Sequence, residues 1–184
     1  MTSLKGHLLI AAPSLEAPFF ARSVILMCEH SHEGAMGLIL NRPTEATVGA
    51  VSEQVLNEPL AWNKPIHLGG PVQGPLVIVH SAIAEADHTV LDGVYTSFDA
   101  EKVRRLLVEQ AEPSLVIANY SGWGPGQLES EMREGSWLTL PAEPHLVFWE
   151  QADDLWSYVV RRACSANLAR LIGVDALPED PSLN

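Results

Sequence analysis

The sequence predicts an α+β protein built on a mixed, mostly antiparallel sheet. Short strand-like runs outnumber helical ones, they arrive largely as hairpins, and the helices interrupt them irregularly. A doubly wound parallel fold would instead alternate strand and helix.

The elements follow in order. His7 to Ala12 is apolar on both faces and reads as a central buried strand. A turn-rich segment from Pro13 to Pro18 precedes Phe19 and Phe20. Ser23 to Cys28 and Gly37 to Leu40 are β-branched and apolar, and the polar connection Glu29 to Ala35 makes them an antiparallel hairpin with a longer loop. Asn41-Arg42-Pro43 stops the second strand. Thr47 is placed to cap a helix from Val48 to about Leu56, whose Val48, Val51 and Val55 recur at helical spacing, and Pro59 closes it.

Ile66 to Leu68 is a short strand, Gly69-Gly70-Pro71 a tight turn whose glycines permit positive φ, and Leu76 to His80 resumes the sheet. Asp92-Gly93 inside Val90 to Thr96 favours a type I′ hairpin. Asp99 caps a helix through Glu109, with Val103, Leu106 and Leu107 on one stripe and Lys102, Arg104 and Arg105 towards water. Leu115 to Tyr120 is a strand, Gly122 to Gly126 a glycine loop, and Gln127 to Arg133 a short helix. Strands at Trp137 to Leu140 and His145 to Trp149 precede a long helix from about Asp154 to Leu171, which Gly173 ends. With no internal repeat, residues 1–176 form one domain, and the Pro- and acid-rich residues 177–184 a flexible tail.

Composition narrows the function. The 184 residues carry 11 Lys+Arg against 23 Asp+Glu, a net charge of −12, so the average field repels phosphate backbones and anionic lipids. This disfavours direct nucleic-acid binding. Hydrophobic residues at 47% supply a sizeable core and exclude extensive disorder. No apolar run approaches the roughly 20 residues that span a bilayer, and no signal-peptide core forms before Pro13 and Glu16. Cys28 and Cys164 are too few for a disulfide framework, which points to a reducing, cytoplasmic compartment.

Several motifs invite chemistry. Tyr120 to Gln127, between a strand and a helix, lies where phosphate-cradling loops present backbone N–H groups. Pro125 removes one such donor, no lysine follows, and Glu129 and Glu131 would repel a phosphate, so a structural loop is the preferred reading. Ser121 lacks the flanking glycines of a nucleophile elbow, since Asn119 and Trp123 stand there; it reads as a turn hydroxyl bound to backbone. Cys28, His30 and His32 alternate, so an unbroken strand would project them to one face beside Glu33, as a thiolate and imidazole set for a soft metal. A core role for Cys28 is preferred, and no metal or cofactor is assigned. His30 is the best single titratable candidate. Arg42 ends an apolar strand, where it either receives an anionic ligand or, preferably, pairs with Glu45. Most of the five tryptophans are expected in the core, and the structural reading of the glycine loop packs Trp123 closely against the following helix, although a tryptophan in such a loop is often half exposed at a groove.

Together these blocks resemble a family. Gly6-His7-Leu8-Leu9-Ile10-Ala11, Arg22-Ser23-Val24-Ile25, Cys28-Glu29-His30 and Gly34 through Pro43 are similar to the YqgE/AlgH family, and Gly69-Gly70-Pro71, Tyr120 through Glu129, Glu131 and Trp137-Leu138 continue the match. The resemblance runs from Gly6 to about Gly173 and is weakest from Val72 to Glu112. It implies a bacterial cytoplasmic protein, with a bifurcated sheet folded into a pseudo-barrel and flanked by helices, and a role in transcriptional regulation. It implies no catalytic residues. The regulator role fits poorly with the acidic charge and the lack of a helix-turn-helix signal.

The expected pocket is lined by Cys28, His30, Asn41, Arg42, Gly70, Tyr120, Ser121, Trp123, Gln127 and Glu129. Its expected occupant is a small molecule or a protein segment. The alternative is a hydrolase-like enzyme with His30 as general base beside Asn41 or Glu129.

Overall fold

A computed structural model describes residues 3–56 and 59–172. In chain order the elements are β1 (His7–Ala11), β2 (Val24–Ser31), β3 (Gly34–Ile39), β4 (Pro43–Thr47), α1 (Val48–Leu56), β5 (Pro65–Leu68), β6 (Val72–His80), β7 (His88–Leu91), β8 (Val94–Ser97), α2 (Ala100–Val108), β9 (Ser114–Trp123), α3 (Gln127–Arg133), β10 (Trp137–Pro141), α4 (Pro144–Val147) and α5 (Ala152–Ile172). The α+β class is as expected. The tail and the helix stop at Gly173 lie outside the described residues.

The strands follow the path β10-β1-β2-β3-β9-β6-β8-β7, and β4 pairs with β5, which joins β9. Every pairing is antiparallel except β5 with β9. The path branches at β9. Residues Val116 to Ala118 pair with β5, whereas Ser121 to Trp123 pair with β3. Asn119, between the two partners, takes φ 65°, a left-handed conformation that Asn tolerates better than most side chains. The strand therefore kinks where it changes neighbour. The terminal strands β10 and β7 do not pair with each other, so hydrogen bonding leaves the sheet open.

Burial explains most of the assignments. Leu8, Ile10, Leu26 and Leu38 share one core with Val79, Val90 and Val94 of the other arm and with Leu146, Leu155 and Val159 of α4 and α5. Leu9, Ile25, Met27 and Ile39, on the opposite face, pack with Trp123, Leu128 and Trp137 beneath α3. Both faces of β1 and β2 are thus covered, which is why these strands read as unbroken apolar runs. A third cluster places Val48, Ile66, Ile78, Leu106 and Val116 under α1 and α2. Each fully buried aliphatic side chain contributes about 1.5–3 kcal/mol relative to exposure.

Five expectations need correction. The β2–β3 connection is not a long loop: Ser31 pairs with Gly34, so both strands run through the polar segment to a two-residue turn. Gly122 and Trp123, expected to open a glycine loop, instead finish β9. Pro43–Thr47, read as a stop and a cap, is also a strand, mostly exposed and paired with β5 through Pro43 and Thr47. His145 to Trp149 is not a strand; Pro144, whose fixed φ suits the first turn, starts the short α4 there. Leu91 faces Val94 across the expected hairpin, but only Gly93 has positive φ (77°), and a type I′ turn needs two such residues.

Gly69 and Gly70 matter for a different reason from the one expected. A Cβ on Gly70 would lie 2.0 Å from the Tyr120 carbonyl carbon, and one on Gly69 would lie 2.5 Å from the Asn119 oxygen. Close backbone approach at the branch, rather than positive φ, excludes a side chain.

Candidate functional site

The β2–β3 hairpin carries His30 up to α3. Its Nδ1 accepts the Leu4 backbone N–H at 2.9 Å, and its Nε2 lies 2.9 Å from Oε1 of Glu129. Because a backbone amide can only donate, Nδ1 must hold a lone pair, so Nε2 carries the proton and donates it to the carboxylate. The imidazole side chain is 3% exposed. The amide of Glu129 itself and then His30 hold the Glu129 carboxyl below its usual range.

Cys28 does not join them. The register passes from Met27 opposite Gly37 to Glu29 opposite Met36, leaving Cys28 as the extra residue of a β-bulge. The bulge breaks the alternation expected of Cys28, His30 and His32. Cys28 packs with Leu26 and Leu38, while His30 pairs with Ala35 on the α3 side. Burial, reinforced by the Glu29 charge, pushes the Cys28 thiol up to about 12, which removes its nucleophilic form at neutral pH.

Trp123 is buried, 7% accessible, and packs against Leu128 of α3, as the structural reading of the loop expects. Its indole Nε1 donates to Oε2 of Glu131 at 3.0 Å, and Trp137 donates to the same oxygen at 2.7 Å. Gln127 donates to the other Glu131 oxygen at 3.0 Å and accepts the Gly124 amide at 3.0 Å. The amide of Gln127 is itself bonded to the Gly124 carbonyl. Two of the N–H groups a phosphate cradle would use, those of Gly124 and Gln127, are therefore occupied, and Glu131 serves as a shared acceptor for two buried indoles.

The remaining candidates hold backbone elsewhere. Asn41 accepts from Val24 N–H at 2.8 Å and donates to the Arg22 carbonyl at 2.9 Å, pinning the entry to β2. Arg42 makes no ion pair with Glu45 among the described residues; one guanidinium nitrogen donates to the Ala21 carbonyl at 2.9 Å, and the group lies over Phe19. Ser121, fully buried, donates to the Gly69 carbonyl at 3.0 Å, so its hydroxyl does bond backbone, but from within a strand. Tyr120 and Gly70 pack at the branch of β9.

Two concave regions stand out among the described residues. A depression of about 500 Å³ at the hairpin is lined by His30 and Trp123 together with Lys5, Glu29, Ser31 and Glu33. Of the ten expected pocket residues, only these two line it. A larger cleft, about 1080 Å³, lies between β5, the start of β9 and the α4–α5 connection.

His67, on the wall of that cleft, was not singled out by the sequence. The signal available was a histidine between Ile66 and Leu68, in a strand otherwise apolar. Its Nδ1 lies 2.7 Å from the Leu40 carbonyl, which fixes the proton on Nδ1 and leaves Nε2 as an acceptor. Burial, despite that bond, lowers its pKa. His80 is also buried with a lowered pKa, but both its nitrogens are engaged, with Ser97 and the Ala82 amide. No grouping of three or more His, Cys, Asp or Glu suited to a metal occurs among the described residues, and no described helix is long and apolar enough to cross a membrane.

Comparison with known proteins places this architecture. A UPF0301 protein of Vibrio cholerae is 36% identical over 87% of this chain and 91% of its own length. A UPF0301 protein of Streptomyces coelicolor is 36% identical, covering 100% of this chain and 97% of its own. The solution structure of the AlgH protein from Pseudomonas aeruginosa superposes with a TM-score of 0.74 at 31% identity, over 96% of this chain and 97% of that one. A crystal structure from Corynebacterium diphtheriae gives a TM-score of 0.71 at 26% identity, over 88% and 87%. The family model described as AlgH-like (DUF179) matches residues 8–166, and the chain belongs to that AlgH-like family.

Proposed function

We propose that this chain is a single-domain, cytoplasmic regulatory protein that acts by binding rather than catalysis, receiving a small molecule or a protein segment in the depression at the β2–β3 hairpin. The observation that carries this reading is the contrast within the depression. His30 and Trp123 bound one open surface, yet their polar atoms are committed to Leu4, Glu129 and Glu131. Those residues form a rigid floor. The groups left to meet a guest are the flanking side chains of Lys5, Glu29, Ser31 and Glu33. Barrel-like closure of the fold belongs to the same reading. It is supported by the single core shared between the two arms and by the Val90 carbonyl, 3.3 Å from where a Cβ on Gly6 would stand.

Regulation through direct DNA contact is not part of the proposal, because a net charge of −12 opposes phosphate neutralisation. A mobility assay across salt tests this, and specific binding with a steep salt slope would contradict it.

The hydrolase-like alternative rests on the 2.9 Å contact between His30 and Glu129. As a base, His30 would have to take a proton on Nδ1, the atom that accepts the Leu4 amide. A ligand screen by amide chemical shifts separates the two readings. Saturable shifts at Lys5, Ser31 and Glu33 without turnover support binding; turnover that disappears in His30→Asn supports the alternative.

A further inference from the structure

The larger cleft carries a separate assignment. Part of its lining is apolar, with Phe148 and Trp149 from the α4–α5 connection and Pro65, Pro113 and Leu115 from β5 and β9 with its approach, in a cleft of about 1080 Å³. That volume and lining suit a small organic ligand. Trp149 is itself held by stacking on Tyr158, with centroids 4.7 Å apart, so the aromatic wall is preorganised.

The polar groups sort by what they still have to offer. Lys64 is the cation of the cleft, and its ammonium is committed to Glu112 at 2.5 Å and lies over Trp62. His67 is only 6% exposed, and with Nδ1 donating to Leu40 its Nε2 keeps a lone pair and has no partner. The Ser114 hydroxyl, on the same lining, is the polar atom buried without a partner, while Nε2 of His67 opens to the cleft. At the rim stand Glu150, Asp153 and Asp154, exposed and without a salt bridge among the described residues. Asp153 and Asp154 also complement the positive end of α5, so their charge alone would mark no site. His67 is the independent indicator, because its open nitrogen serves no interaction within the fold.

A neutral acceptor on the wall, an aromatic side and unpaired carboxylates at the mouth all select one kind of partner. We propose that this cleft binds a small organic cation, an aromatic amine whose ring lies against Phe148 and Trp149. Its ammonium faces Asp153 and Asp154, and a hydroxyl or N–H at its far end donates to Nε2 of His67. An aromatic carboxylate meets the opposite conditions, since the rim repels it.

Tyramine is the direct probe, with 4-hydroxyphenylacetate as the same ring bearing the opposite charge and phenethylamine as the amine without the hydroxyl. Binding is followed by amide and indole chemical shifts of the full chain. Tyramine is expected to shift the Trp149 indole saturably and to bind at least about tenfold more tightly than the carboxylate. Phenethylamine is expected to bind about fivefold more weakly than tyramine, the loss of one hydrogen bond. This comparison tests the His67 contact without altering the protein. His67→Phe should abolish the difference between the two amines, and Asp153→Asn with Asp154→Asn, at exposed positions, should erase the preference for charge. Equal affinity for amine and carboxylate, shifts confined to residues outside the cleft, or no saturable binding of tyramine at millimolar concentration would overturn the assignment. None of these results bears on the hairpin depression, which shares no lining residue with the cleft.

Discussion

Nε2 of His30 lies 2.9 Å from Oε1 of Glu129, 99 positions later in the chain. This contact ties the end of the β2–β3 hairpin to α3, while Nδ1 of the same ring holds the N-terminal segment through Leu4. One buried imidazole therefore joins three parts of the chain.

Glu129→Ala leaves the buried His30 Nε2–H without its acceptor and should cost about 1–2 kcal/mol in urea unfolding. Glu129→Gln keeps an acceptor oxygen and should cost less. Because the Glu129 carboxyl is held below its usual value, its contribution is present above the unfolded-state pKa of 4.5 and is lost as pH falls through the folded value. The alanine variant should lack that part of the acid limb.

Glu131→Ala removes the acceptor of two buried indoles at once. It is expected to destabilise by about 2–4 kcal/mol, and near-UV circular dichroism should report altered Trp123 and Trp137 environments. An effect no larger than that of Glu129→Ala would mean that the two indoles find other partners.

Gly70→Ala and Gly126→Ala separate crowding from conformation. The first places a Cβ 2.0 Å from Tyr120 backbone, and loss of the folded state or more than about 4 kcal/mol is expected. The second meets nothing within 4 Å but sits at φ 73°, so only about 1 kcal/mol of left-handed strain should appear. Comparable costs at the two positions would contradict the close-approach account of the branch.

Acid unfolding should have two components. His67 and His80 have pKa values lowered mainly by burial, so the stability they contribute is present above 6.5 and is lost as pH falls through their folded values. Asp87 acts lower: burial alone would raise its pKa, but Lys102 and the Asp99 and Phe98 amides outweigh that and bring it to about 2. Its contribution is present above 3.8 and disappears as pH falls towards 2. Asp87→Asn should remove the Asp87 part of the lower component, leave the His67 part of the upper one, and shift the His80 part to lower pH, because the Asp87 charge raises the His80 value, as measured by urea unfolding across pH.

What the sequence made legible was local. Asp99 caps α2 through the Glu101 and Lys102 amides, and Thr47 accepts the Ala50 amide at the start of α1, because capping chemistry needs only neighbours. Gln127 to Arg133 forms the expected helix, starting after Gly126 without a side-chain cap. The short apolar stretch after Pro144 reads as a strand by composition, but Pro144 at the first turn marks the helix that forms there. The Cys28 bulge left no mark in the sequence, since one unpaired residue is a property of the match between two strands. The expected pocket gathered motif residues by adjacency in sequence. Asn41, Arg42, Gly70 and Ser121 instead secure backbone at the β2 entry and the β9 branch, so being part of a motif reflected packing there. His67 carries no such signal, because a histidine in an apolar strand reads as core until the partner of each nitrogen is known.

The most direct measurement follows amide shifts of the full chain against a metabolite and peptide panel, with any responding compound tested for turnover on wild type and His30→Asn. The account expects saturable shifts at Lys5, Glu29, Ser31 and Glu33, unchanged ligand, and binding that survives in His30→Asn if the hairpin remains folded. Chemical conversion of the ligand that is lost in His30→Asn would contradict it.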